Sequence, residues 1–370
     1  MKEINIAKVL AAKRRQKGVT QDDLANYIGV SKASVSKWET GQSYPDVTFL
    51  PLLAAYFNIS IDELLNYQPQ MTKEDIRRLY TKLSADFTSK PFDAVMEECR
   101  VVIKKYYACF PLLLQMGILI FNHLELLKDP EQASALIEES KALFIRVREE
   151  SGDMPLARLA LYMEALCGIA SGDPDTALAL LDGTIAPAFP PESLLASAYA
   201  MKGRIKEAKS VLQVGMYQNI VVLFNFFPAY LNLCADDPEK FEETLQRSLA
   251  VAGAFDMRRL HPGVLAGLFI SAAQGYAAQS NSGRALDMLQ QYTETVTGDI
   301  YPLSLKGDWF FDLLDGWLED LDLGKSLPRD EKTVRRSMAD SVLQNPAFAA
   351  LAGDPRYTSL AQKLQDNSGR

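Results

Sequence analysis

The chain has 370 residues, 48% of them hydrophobic, and a formal net charge of −8. It is too long for one small domain, and its acidic total argues against a general nucleic-acid binder. The charge is uneven, however: residues 1–45 carry eight Lys/Arg and four acids, a net of +4, which leaves −12 on the remainder. A basic end on an acidic body predicts that only the end approaches phosphate.

The first twenty residues contain Lys and Arg throughout and no apolar core of a secretory signal, so a cytoplasmic protein is expected. Two short helices follow. Thr20 can cap the first of them, with Asp23 completing a capping-box pair, and Leu24, Ala25 and Ile28 share one face. Gly29 ends it, since glycine accepts the left-handed conformation of a tight exit. Ser31 caps the next, whose Val35 and Trp38 point back to its predecessor. Lys32, Ala33, Ser36 and Lys37 are left outward, a small basic face suited to a DNA major groove.

Residues 5–66 resemble the five-helix DNA-binding domain of the phage Cro and lambda-repressor type, the Xre family. Gln21, Ala25, Gly29, Val35, Glu39, Gly41 and the closing Asn58-Ile-Ser-Ile-Asp-Glu-Leu-Leu65 carry that resemblance. It implies operator DNA as partner, with Lys32, Ala33, Ser36 and Lys37 at base edges and Arg14, Gln21, Ser31 and Ser43 at phosphates. It leaves Arg14 a second role, pairing with Glu39 to hold the first helix against the third. It also implies a first helix over Ile4–Gln16, further helices over 46–57 and 61–66, and a homodimer reading two half-sites.

The expected domains are a helix-turn-helix head over 1–67, a linker over 68–72 and a helical body over 73–370. From Lys73 onward the periodicity is almost wholly helical. Predicted helices span 73–86, 91–106, 110–127, 131–151, 155–170, 174–182, 191–202, 204–216, 218–234, 238–253, 262–279, 282–296, 308–320, 329–343 and 355–366. An all-α fold follows. The apolar runs 110–127 and 220–234 are broken by polar residues and fall short of a membrane span, so buried core helices and no membrane contact are expected.

A weak internal repeat runs through the body: Ala165, Gly168 and Ala177; Ala196, Tyr199 and Ala208; Ala273, Tyr276 and Ala285. Each last alanine is followed four residues on by leucine, at Leu181, Leu212 and Leu289. This resembles the tetratricopeptide pattern, although its early tryptophan and late proline do not recur. A basic Xre-type head on such a body is similar in layout to the peptide-sensing quorum regulators of Gram-positive bacteria. That resemblance implies a concave surface and a short signalling peptide as ligand. Asn225 and Asn232, two turns apart, are the residues expected to clamp its backbone, with Phe226, Phe227 and Tyr230 forming side-chain pockets.

Catalytic and metal chemistry find little material. Gly324-Lys-Ser326 ends like a phosphate loop, but Glu319 stands where its first glycine belongs and the segment before it reads as helix. Cys99, Cys109, Cys167 and Cys234 form no C-x-x-C pair, and His123 and His261 add no familiar zinc spacing. Free buried thiols, no cofactor and no enzyme activity are expected. The reading is therefore a sequence-specific transcription regulator with a dimerising, peptide-sensing body. Two alternatives stand beside it: the same head on a body that is only a scaffold, and an interaction adaptor that no longer binds DNA.

Overall fold

The computed structural model describes residues 5–67, 70–184 and 190–369. Their contacts form two compact units. One runs to Thr72 and takes in Ile103–Leu113; the other holds Lys73–Val102 and everything from Leu114. The expected linker falls partly on Gln68 and Pro69, and the expected helix start on Ile4, all outside the described residues.

The first unit contains α1 (Ile6–Lys17), α2 (Gln21–Ile28), α3 (Lys32–Thr40), α4 (Leu50–Phe57) and α5 (Ile61–Leu65). Its joints follow local chemistry. Thr20 and Asp23 form the reciprocal capping box at α2, and Ser31 accepts from the Ser34 N–H at α3. Gly29 and Gly41 close α2 and α3 at φ of 82° and 71°. Ile6, Leu10, Leu24, Val35, Trp38, Leu53 and Leu64 make a shared core. The Gln70 amide donates to Ala108 O at 3.1 Å and the Met71 N–H to Cys109 Sγ at 3.4 Å, which draws 103–113 into this unit.

The remaining helices are α6 (Lys73–Ser89), α7 (Phe92–Lys105), α8 (Phe110–Asn122), α9 (Pro130–Glu150), α10 (Met154–Ala170), α11 (Pro174–Leu181) and α12 (Pro191–Met201). They continue as α13 (Ile205–Leu233), α14 (Pro238–Ala254), α15 (Met257–Leu260), α16 (Pro262–Ala278), α17 (Ser282–Val296), α18 (Asp315–Glu319), α19 (Glu331–Leu343) and α20 (Pro355–Ser368). Among the described residues there is no strand beyond one isolated bridge, Ser304–Ser326. The fold is all-α, a helix-turn-helix head followed by a helical domain.

The repeated small residues sit where helices meet in the hairpins α10/α11, α12/α13 and α16/α17. Ala165, Ala177, Ala196, Ala208, Ala273 and Ala285 are all buried. A Cβ on Gly168 would lie 3.1 Å from the Thr176 side chain and from Asp173 O, so the α10/α11 crossing depends on a residue without one.

Two departures have physical causes. The predicted helices 204–216 and 218–234 are one 29-residue helix, α13, running through Pro228. Gly215 does not break it: a Cβ there would meet Glu192 at 3.1 Å, so this glycine admits α12 rather than a turn. By length and composition α13 is long and apolar enough to cross a membrane, with a mean hydropathy of 1.3 over 18 residues, which corrects the expectation that this run falls short. The predicted helix 308–320 shrinks to α18. Asp308 Oδ1 accepts from the N–H groups of Phe310 and Phe311, and Gln213 and Ser210 of α13 bind the backbone at 310 and 313, so tertiary bonds replace helical ones.

The body's first helix is clasped by a segment far along the chain. Arg77 donates to the carbonyls of Glu319, Leu321 and Asp322 at 2.8, 2.6 and 3.0 Å, Ser84 to Pro328 O at 3.2 Å, and Thr88 to Asp330 at 2.8 Å. Gln115 of α8 donates to Asp322 at 3.0 Å. Arg77→Ala is expected to destabilise the body by about 1.5–3 kcal/mol, the range for hydrogen bonds to a charged group. Urea denaturation followed on body tryptophans checks this; a loss within 0.5 kcal/mol would mean that solvent replaces the guanidinium without penalty.

Candidate nucleic-acid interface

In the first unit, α3 lies against α1 and α2 through Val35 and Trp38, both buried, with Trp38 also against Phe49 at 5.9 Å between ring centres. The opposite face of α3 is free of that packing. Lys32, Ala33 and Lys37 are exposed there and Ser36 is half-buried. Lys32 bonds to Asp22 of α2 at 2.7 Å, with both side chains more than half exposed. A pair so open to water contributes little and yields readily to a competing anion.

Behind this face lies an ionic network that sets the angle of the helices. Arg14 of α1 grips Glu39 of α3 with two bonds, Nε–Oε1 at 2.6 Å and Nη2–Oε2 at 3.0 Å, and its Nη1 donates to Val19 O at 2.8 Å. The Gln21 amide of α2 donates to the same carboxylate at 2.9 Å. Arg14 and Glu39 are 13% and 6% exposed. Burial pushes the Glu39 carboxyl up, but bonds from Arg14 and Gln21 and the guanidinium charge outweigh it and hold the group below the ordinary carboxylate range. The bond to Glu39 raises Arg14 against the opposing effect of burial.

These contacts bear on the expected phosphate set. Arg14 makes the pairing with Glu39 that was its second expected role, and the bonds from Nε, Nη1 and Nη2 clamp α1 to α3. The Gln21 amide nitrogen is likewise held by Glu39. Ser31 is exposed at the cap of α3, its hydroxyl 2.9 Å from that of Ser34. Ser43 is exposed in the turn beyond α3, its N–H bound to Lys37 O at 3.3 Å. Beside it Tyr44 is more than half exposed, a hydroxyl-bearing aromatic that the sequence reading passed over. Its signal was an aromatic set among the polar residues of the turn after α3.

The residues expected to line a ligand groove lie on more than one face of α13. Asn225 and Asn232 share a face of α13, yet they are turned roughly 100–160° around the helix from Phe226, Phe227 and Tyr230. Both asparagines are exposed, which removes the need for buried partners. Phe227 packs into the body core, in T-shaped contact with Phe224 at 5.5 Å, while Phe226 and Tyr230 face solvent. The four cysteines are free and buried, and burial pushes the Cys99 and Cys167 thiols up to about 12.

Comparison with known proteins agrees with the geometry of the head. Residues 10–64 match the helix-turn-helix family. The chain is 33% identical over 73 residues to the HTH-type transcriptional activator BcrR of Enterococcus faecalis, a match that spans 18% of this chain and 36% of that relative. Among solved structures, apo ComR from S. thermophilus covers 80% of this chain and 94% of its own at 13% identity and a TM-score of 0.22. The apo competence regulator ComR from Streptococcus vestibularis covers 87% and 99% at 12% identity, with the same TM-score. An overlap this loose transfers neither geometry nor ligand. The N-terminal module is a helix-turn-helix domain of the Xre type.

Proposed function

We propose that the protein is a sequence-specific transcription regulator that binds operator DNA through α2 and α3 as one half of a homodimer. The observation that carries this reading is the exposed face of α3, with Lys32, Ala33, Ser36 and Lys37 on a helix whose other side is fully used by the core. Lysine can donate to guanine O6 or N7, and the alanine methyl can meet a thymine methyl. Ser31 and Ser43 are assigned to phosphate, which fixes register without carrying sequence information. The net charge of +4 on residues 1–45 supplies attraction to the backbone, and the acidic remainder stays clear of it.

One head offers a small surface, and two heads half a site apart, roughly 34 Å, give both affinity and specificity. The body is assigned to holding them together. Peptide sensing would need another surface than the one expected at Asn225 and Asn232, because the aromatics point away from it.

Lys37→Ala is the test. Discrimination between selected operator and random DNA, measured at one salt concentration, is expected to fall by about 1–3 kcal/mol. An equal loss on both DNAs would move Lys37 to phosphate. No salt-dependent binding of any DNA by the wild-type protein would leave the adaptor reading in place of a regulator.

A further inference from the structure

Helix α13 has two apolar seams, and the body uses only one. Tyr217, Ile220, Phe224 and Leu231 are buried in the core. A second series, Leu212, Met216, Asn219, Leu223, Phe226, Tyr230 and Leu233, recurs at alternating steps of four and three residues. That is the 3.5-residue period of a helix lying along another helix. Every member is exposed, from 37% at Leu223 through 62% at Phe226 to 80% at Leu233. Residues 210–235 contain no Asp, Glu, Lys or Arg, whereas a helix face meant for water normally carries charge.

We infer that this second seam of α13 is the dimer interface, and that its occupant is the same seam of a second copy. The inference rests on the homodimer proposed above and adds the surface that makes it. Three features favour a second copy over another partner. An uncharged stripe meets its own image without like-charge repulsion, and it offers an acidic or basic partner no complement. A two-fold axis places the same patch on both sides, so a self-compatible stripe is sufficient. Covering the six apolar side chains removes on the order of 600 Å² per copy, which reaches the lower end of a standard interface. Asn219 is the seam's polar member. Its Nδ2 donates to Gly215 O at 2.8 Å, which leaves its carbonyl oxygen to accept across the axis and set the register.

The test uses the full chain. Phe226→Asp and, separately, Leu233→Asp place a charge at solvent-facing positions that a folded monomer tolerates. Multi-angle light scattering and sedimentation are expected to show a wild-type dimer whose dissociation constant rises at least a hundredfold in each variant, with single half-site DNA binding retained. Leu223→Cys, near the middle of the stripe, is expected to cross-link with a short bismaleimide, because the four native cysteines are buried. A persistent dimer in both variants, with no cross-link, overturns the interface but leaves the homodimer standing. A monomeric wild type overturns both. A loss of thermal stability without dissociation means that the chain covers the stripe itself. Flotation with phosphatidylcholine vesicles that the Asp variants abolish, in a monomeric protein, means that a membrane covers it. Either of these last results overturns the proposal.

Discussion

Replacing Glu39 with alanine is expected to cost the head about 3 kcal/mol and, with it, operator binding. The carboxylate takes two bonds from Arg14 and one from Gln21. Removing it leaves the guanidinium with only Val19 O and the Gln21 amide nitrogen without its acceptor. Breaking one side of a buried pair typically costs about 3–5 kcal/mol, and the partial exposure of Arg14 places this case at the lower end. A domain of some sixty residues holds only about 3–9 kcal/mol in total, so the loss populates the unfolded head. Thermal melting of the full chain should show an earlier head transition and an unchanged body transition.

The same network gives the pH dependence its sign. The folded Glu39 carboxyl is held below its ordinary value of 4.5, so its contribution is complete above that value and is lost as pH falls through the folded one. Glu39→Ala should therefore flatten the acid limb of head stability. A variant head that melts at the wild-type temperature at pH 7 would show that the clamp is dispensable.

Phe241→Ala is expected to have a comparable effect on the body, about 3–5 kcal/mol, the range for deleting a fully buried phenylalanine. Its ring is inaccessible, makes a T-shaped contact with Tyr276 at 5.0 Å, and fits so tightly over α16 that a Cβ on Gly275 would lie 2.2 Å from Cε2. Gly275→Ala should therefore destabilise by itself, by about 1–3 kcal/mol, through overpacking. In the Phe241→Ala background the added methyl fills part of the vacated space, so the double variant should be more stable than the two losses together imply. Urea midpoints of the four proteins measure this coupling. Additivity within 0.5 kcal/mol would mean that ring and glycine do not share the space.

The head was legible because its signals are local. Thr20, Ser31, Gly29 and Gly41 fix helix ends by capping and by positive φ, whatever surrounds them. The role of Arg14 was not settled by sequence, since choosing between phosphate and Glu39 needs the distance between two helices. In the body, helix positions followed from periodicity, but their faces did not. The apolar run through α13 reads as buried throughout; two seams of similar period overlap in it, and only contacts show which one the core takes. The segment after Gly307 failed for a related reason. Its backbone groups are bound by Gln213 and Ser210, about a hundred positions earlier, and no window of neighbouring residues reports that.

The clasp on Arg77 has a consequence for how the body is made. In a stack of helical repeats each unit needs only its neighbours, so the chain can acquire order as it leaves the ribosome. Here α6 emerges 242–245 residues before the carbonyls that Arg77 binds. At ordinary synthesis rates of about 5–20 residues per second the wait is roughly 10–50 s. Throughout it, the Arg77 guanidinium lacks these three acceptors, and closure then carries the entropy cost of a very long loop. Translation stopped before residue 319 should thus yield a body whose α6 stays protease-sensitive, while the α16/α17 hairpin, built from adjacent sequence, is already protected.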